Sequence, residues 1–96
     1  MATYVSLIKL TAEGAKNVKT SGEAIQEASN WIGKNGGKVL AAYALQGNYD
    51  FLWITEFPEE RGAWKSLVST ALQGRVSTET LTAIPIERFL EYVAQA

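Results

Sequence analysis

Four consecutive residues, Gly47, Asn48, Tyr49 and Asp50, carry the most specific chemical pattern in the sequence. At the mouth of a cleft, the amide and carboxylate would hold an amine or hydroxyl of a small ligand, and the Tyr49 ring would form an aromatic wall. The same residue types also build tight turns, because glycine adopts positive φ and Asn and Asp side chains bond nearby backbone. The sequence leaves both interpretations open and favours the turn.

Acid–base chemistry would depend on two carboxylates of the same segment, Asp50 and Glu56, with Tyr49 or Trp53 positioning the substrate. The chain has no His and no Cys, so it lacks the commonest general base, a thiolate nucleophile and the preferred ligands of zinc. We therefore predict no metal and no cofactor, and a Ser-His-Asp triad is excluded. The candidate catalytic residues are Asp50, Glu56 and Tyr49, in a cofactor-independent reaction on an enolisable or aromatic substrate.

Length and composition place these residues in one ordinary globular domain, residues 1–96. The chain is 47% hydrophobic and 20% charged, and its formal net charge is -1. This balance offers no electrostatic attraction for nucleic acid or an anionic membrane. The third-strand segment YDFLWITEF has two acids and no base, which argues against RNA binding. Without a signal peptide or an apolar span in the sequence, we expect a soluble, cytoplasmic protein.

Hydrophobic periodicity predicts the elements that position the candidate residues. A short helical turn follows Thr11, two amphipathic helices end near Gly36 and Gly74, and Pro85 opens a C-terminal amphipathic helix. The predicted strands cover residues 3–10, 38–45, 49–57 and 76–84. The order βαββαβ predicts an α+β, ferredoxin-like fold, in which two helices pack on one face of a four-stranded antiparallel sheet, followed by the C-terminal helix.

The third strand is apolar on both faces, so its orientation has to be inferred. One parity carries aromatic residues that include Phe51 and Trp53, and the other carries Leu52 and Ile54. We expect the aliphatic pair to face the helices, because it matches their aliphatic stripes, and the aromatic residues to lie on the open face. Such a face is too apolar to stay solvated, and the simplest cover is a second copy packed sheet to sheet.

The hairpin register follows from its turn. With Gly47 and Asn48 as the two turn residues, Ala44 is predicted opposite Phe51 and Ala42 opposite Trp53.

Three segments resemble the GYD domain family, named for its Gly-x-Tyr-Asp motif. They are ATYVSLIKLTAEGAKNVK, the hairpin GNYDF and VSTETLTAIP, and the resemblance spans nearly the whole chain. It implies a ferredoxin-like fold of the dimeric α/β-barrel type, in a family whose function is not established. Similar barrels include the effector-binding domains of leucine-responsive type regulators, which bind small metabolites, and cofactor-free monooxygenases.

Three functions follow from these observations, in order of preference. The first is a small-molecule-binding homodimer with its pocket at the interface between sheet and partner. The second is a cofactor-independent oxygenase, isomerase or cyclase of the dimeric α/β-barrel type, and the third is a structural domain that only forms oligomers. The predicted ligand-binding residues are Tyr4, Asn48, Tyr49, Asp50, Phe51 and Trp53, and Thr78, Thr80 and Thr82 offer a row of hydroxyls on one parity of the last strand.

Overall fold

The computed structural model describes every residue from Met1 to Ala96. The strands are β1 (Ala2–Leu10), β2 (Lys38–Ala44), β3 (Phe51–Phe57) and β4 (Val76–Ala83). The helices are α1 (Ala12–Lys16), α2 (Ser21–Lys34), α3 (Glu60–Leu72) and α4 (Ile86–Gln95), with a 3₁₀ turn at Val18–Thr20. The predicted α+β class and element order are confirmed.

The four strands form one antiparallel sheet in the order β2-β3-β1-β4. This is the ferredoxin-like order, and it makes β1 and β3 the central strands. The predicted hairpin register is also confirmed, since Ala44 lies opposite Phe51 and Ala42 opposite Trp53. Gly47, in the turn between them, has φ +137°, a conformation that residues with a Cβ rarely adopt.

Helices α2 and α3 lie over the face of the sheet that carries the aromatic side chains of β3. Trp53 and Phe57 are 7% and 3% exposed and form the core with Ile32 of α2. Leu52 and Ile54 point to the opposite face, so the prediction that they lie under the helices is wrong. The sheet-facing helix positions include Ala28 and Ala63. Because these side chains are small, the space beneath the helices accommodates large rings better than a second aliphatic layer.

The chain is more open than a compact monomer of its size. Its accessible surface is 6720 Å², and only 6 of the 96 residues are buried. A compact protein of this mass exposes about 5,400 Å². The radius of gyration is 14.6 Å, whereas about 12.5 Å is typical for this length. Helix α4 contributes to this extended shape, because it is exposed along its whole length.

None of the helices combines the length and the apolar character that crossing a membrane requires.

Candidate functional site

A cavity of about 720 Å³ lies between the sheet and the helix pair α2 and α3. Its floor is formed by the aromatic face of the sheet and includes Tyr4, Phe51 and Trp53. Tyr4 also meets Phe57 edge to face, with ring centroids 6.1 Å apart. Three of the six predicted ligand-binding residues are therefore brought together, on the helix side of the sheet.

The polar groups of the cavity include a cluster of hydroxyls from two adjacent strands. Thr78, Thr80 and Thr82 of β4 line it in a row, as their shared parity predicts. Ser6 of β1 lies beside them, with its Oγ 3.1 Å from the Oγ1 of Thr80. Neutral hydroxyls can both donate and accept hydrogen bonds, so this wall suits the polar atoms of an uncharged ligand.

Charged side chains also line the cavity, and Arg75 is the cation among them. Its Nη1 donates to the Oγ1 of Thr20 over 3.5 Å. Two carboxylates, Glu27 and Glu60, border the helix side, and Glu60 Oε1 accepts a 3.1 Å hydrogen bond from the indole of Trp64. The sequence reasoning did not single out either acid as a site residue.

The other predicted ligand-binding residues, Asn48, Tyr49 and Asp50, do not line this cavity. The carboxylate of Asp50 accepts a 2.7 Å hydrogen bond from the backbone N–H of Leu10. Its backbone N–H donates to the carbonyl of Ile8, and its carbonyl accepts from Leu45, each over 2.8 Å. Asp50 thus joins the hairpin to the end of β1, which matches the turn interpretation of the motif.

Tyr49 and Glu56, the remaining candidate catalytic residues, are directed away from the cavity. The phenol of Tyr49 donates a 2.6 Å hydrogen bond to Glu79 Oε2. This hydrogen bond, together with the negative charge of Glu79, raises the pKa of Tyr49 above its ordinary value. Glu56 lies opposite Thr3 and Lys38 on the other side of the sheet. The structure therefore does not assemble the three candidate catalytic residues around the aromatic floor.

The second apolar surface is the uncovered side of the sheet, which we call the open sheet face. Pairing across the strands places five large aliphatic side chains together: Val5, Leu7, Leu52, Ile54 and Leu81. Lysines and glutamates surround this centre in equal number: Lys9, Lys38, Glu56 and Glu79. This face has the apolar centre and charged rim that are typical of a protein interface.

Two tryptophans on the helices, Trp31 of α2 and Trp64 of α3, also line the cavity. Trp64 is 58% exposed, so it stands at the opening of the cavity and not in a core. Trp31 lies three positions after Ala28, a spacing that places both side chains on the same side of α2.

Comparison with solved structures agrees with the observed fold. The protein FFRP-DM1 aligns with a TM-score of 0.59 and 19% identity over 88% of this chain and all of that chain. The protein TTHA0845 of Thermus thermophilus aligns with a TM-score of 0.55 and 22% identity, over 88% and 95% of the two chains. A hypothetical protein of Pyrococcus horikoshii, PHS023, aligns with a TM-score of 0.56 and 18% identity, over 88% of this chain and 92% of that chain.

Sequence comparison adds a nearer relative from Thermus thermophilus. It is called glutamine synthetase and cystathionine beta-lyase binding protein, and it is 33% identical over 87 residues, which cover 90% of this chain and 92% of the relative. The family model of the GYD domain matches residues 4–93. The match includes most of β1, the other three strands and the hairpin motif, and the chain therefore belongs to the GYD domain family.

Proposed function

We propose that this protein is a homodimeric binding module that takes a small organic ligand in the cavity between its sheet and helices. The observation that carries this proposal is the lining of the cavity, where an aromatic floor meets a row of hydroxyls. Pockets that are mostly apolar with a few convergent polar groups are typical small-molecule sites. The pocket we propose lies on the helix side of the sheet and not at the sheet/dimer interface.

The cavity favours a flat and largely apolar ligand. Tyr4, Phe51 and Trp53 offer ring faces and edges for stacking. Thr78 and Thr80 can exchange hydrogen bonds with hydroxyl, carbonyl or amide groups along one side of such a ligand.

We further propose that the open sheet face pairs with the same face of a second copy. Two lysines and two glutamates surround the aliphatic centre, so a two-fold rotation can set positive charges of one copy against negative charges of the other. Burial of the aliphatic centre would supply the free energy of association, and the rim charges would fix its orientation.

A second candidate function is binding to another protein. The name of the Thermus relative, 33% identical, describes binding to two enzymes, and an exposed apolar face such as the open sheet face suits a protein partner. The two candidates differ in what they predict for the purified protein. A protein that binds enzymes would form a complex with purified glutamine synthetase or cystathionine beta-lyase without a ligand in its cavity. Sedimentation velocity would detect that complex.

Native mass spectrometry of the protein purified from its own host tests the first proposal, because it reports subunit number and retained ligand together. We expect a dimer, or a multiple of dimers, that carries extra mass. The variant Ala28→Phe places a ring in the cavity and should lose that mass. Ala71→Phe adds the same ring to α3 outside the cavity lining and should keep it. A ligand-free wild type, or equal retention in both variants, would contradict a ligand site in this cavity.

A further inference from the structure

We propose that the ligand of the cavity is a flat organic carboxylate, whose charged group pairs with Arg75 and whose rings lie on the aromatic floor. This inference rests on the proposed ligand site, and it adds the chemical class of the ligand.

Arg75 carries a charge that the chain leaves without a counterion. It is the one cation that lines the cavity, and it is half-buried. Its Nη1 donates to the neutral Oγ1 of Thr20 over 3.5 Å, beyond the usual range of about 2.7–3.2 Å. A guanidinium has several N–H donors in a planar fork. A carboxylate would supply the missing negative charge and accept two of these hydrogen bonds at once.

The backbone that carries this guanidinium is held in place by α1 and its cap. The N–H of Thr11 donates to the carbonyl of Arg75 over 3.0 Å. The hydroxyl of Thr11 donates to the carbonyl of Gly74 over 2.7 Å, and Gly14 lies directly against the carbonyl of Arg75. Because this part of the site is already ordered, less conformational freedom is lost when a ligand binds there.

The lining residues around Arg75 and Thr20 are polar and uncharged. They are Asn17, Ser21 and Gln73, and with Arg75 they form what we call the basic end of the cavity. The carbonyl of Asn17 accepts the hydroxyl proton of Thr20 over 2.8 Å. Neutral groups of this kind add hydrogen bonds without adding charge. Arg75 therefore determines the charge of the basic end.

The two acids that line the cavity, Glu27 and Glu60, lie away from the basic end. Glu60 begins α3, which is 13 residues long and ends three residues before Arg75, so the length of the helix, about 20 Å, separates them. Glu27 is exposed and lies seven residues after Thr20, about 10 Å along α2. Solvent ions screen charges at such separations, so neither acid prevents an anion from binding at Arg75.

The aromatic floor begins next to the basic end. Phe51 and Thr78 pair with the same residue of β1, and Trp53 and Thr80 pair with another, two positions further from Arg75. Successive rows on one face of a sheet are about 7 Å apart. A carboxylate at Arg75 therefore directs an attached ring towards Phe51 and a second, fused ring towards Trp53, with the threonine hydroxyls along one edge.

Calorimetric titration with two matched probes, naphthoate and naphthamide, tests the charge of the ligand. The two molecules share their fused rings and nearly the same size, and at neutral pH only naphthoate is an anion. The wild type should bind naphthoate at least tenfold more tightly than naphthamide, since a hydrogen-bonded pair of opposite charges is stronger than a neutral one. This comparison is made on the natural chain, so it does not depend on the folding of a variant.

Two variants then show which residue supplies the preference. Arg75→Gln removes the charge and keeps an amide donor, so naphthoate affinity should fall at least tenfold while naphthamide affinity changes less than twofold. Arg61→Gln removes the same charge from an exposed position of α3 outside the cavity lining, and it should leave both affinities unchanged. Circular dichroism checks that each variant is folded.

The possible failures separate this inference from the ligand site itself. Equal affinity of the wild type for both probes, with both lost in Ala28→Phe, would overturn the carboxylate assignment and leave the ligand site in place. Equal loss of naphthoate affinity in Arg61→Gln and Arg75→Gln would mean a general effect of net charge, and it would also overturn the assignment. Absence of binding of both probes at millimolar concentration, or binding that Ala28→Phe does not change, would contradict the ligand site and the assignment together.

Discussion

The carboxylate of Asp50 accepts a hydrogen bond from the backbone N–H of Leu10, with 2.7 Å between Oδ2 and N. This contact crosses forty positions of sequence and ties the β2–β3 hairpin to the last residue of β1. The acid of the family motif thus supports the sheet, while the cavity is lined by the strand residues that follow it.

Replacing Asp50 with alanine should lower the free energy of unfolding by about 1.5–3 kcal/mol, the range for hydrogen bonds to charged groups. Urea denaturation measures the change. Asn48→Ala is the matched control, because Asn48 is exposed in the same turn and has no positive φ, and it should cost less than about 0.5 kcal/mol. Equal losses in the two variants would mean that the Asp50 contact contributes nothing beyond the turn itself.

Gly14→Ala should destabilise the fold, because α1 approaches the start of β4 closely at this residue. An added Cβ would overlap the backbone carbonyl oxygen of Arg75, and such overpacking costs about 1–3 kcal/mol. Gly33→Ala in α2 has open space around the new methyl group and should stabilise by about 0.5 kcal/mol through helix propensity. Thermal denaturation compares the two, and a neutral Gly14→Ala variant would contradict the close approach.

The Tyr49–Glu79 contact predicts a dependence of stability on alkaline pH. The folded-state pKa of Tyr49 is raised by its hydrogen bond to Glu79, so this contact stabilises fully below the unfolded value of about 10. The contribution is lost as pH rises through the raised pKa. Ultraviolet absorbance of tyrosinate measures this titration, and the part of the absorbance change that Tyr49→Phe removes belongs to Tyr49. Its midpoint should lie above pH ~10 in the wild type, and Glu79→Gln should shift it back towards pH ~10. An unchanged midpoint in Glu79→Gln would contradict the contact.

Trp53→Ala should lower the free energy of unfolding by about 3–5 kcal/mol, since the indole is 7% exposed in the core beneath the helices. Leu40→Ala is the control, because Leu40 is a β2 residue with 49% exposure and should cost about 1 kcal/mol or less. Chemical denaturation at one protein concentration measures both. Similar costs would mean that the aromatic face of β3 is not the core.

Ile54→Glu should dissociate the proposed homodimer without unfolding the monomer. The substitution places a charge at the centre of the open sheet face, and burying it without a partner costs several kcal/mol, roughly 2–7 on transfer scales for polar groups alone. Sedimentation velocity reports the loss of dimer, and circular dichroism reports the retained fold. Gln26→Glu adds the same charge at an exposed position of α2 and should leave the dimer intact. A stable Ile54→Glu dimer would place the interface elsewhere.

Local sequence patterns were sufficient to predict the helices, the strands and the pairing of residues near the hairpin turn. The turn at Gly47 and Asn48 fixes which residues pair between Ala41–Ala44 and Phe51–Ile54, where each step along one strand is matched on the other. Beyond Ala41 a bulge shifts the register, and the turn does not predict it. Thr11 was recognisable as a helix cap, and its Oγ1 accepts from the N–H of Gly14 over 3.1 Å. Features of this kind depend on neighbours in sequence, so they can be predicted without knowledge of the tertiary structure.

The order of strands and helices, their approximate ends and the membership of the two faces of β3 all follow from the amino-acid sequence. Which face the helices cover follows only from the folded chain, where Trp53 lines a cavity while Ile54 lies on the open sheet face. Transfer from water favours burial of both faces, so hydrophobicity does not distinguish them. The choice depends on shape, because small residues such as Ala28 and Ala63 leave room for rings beneath the helices.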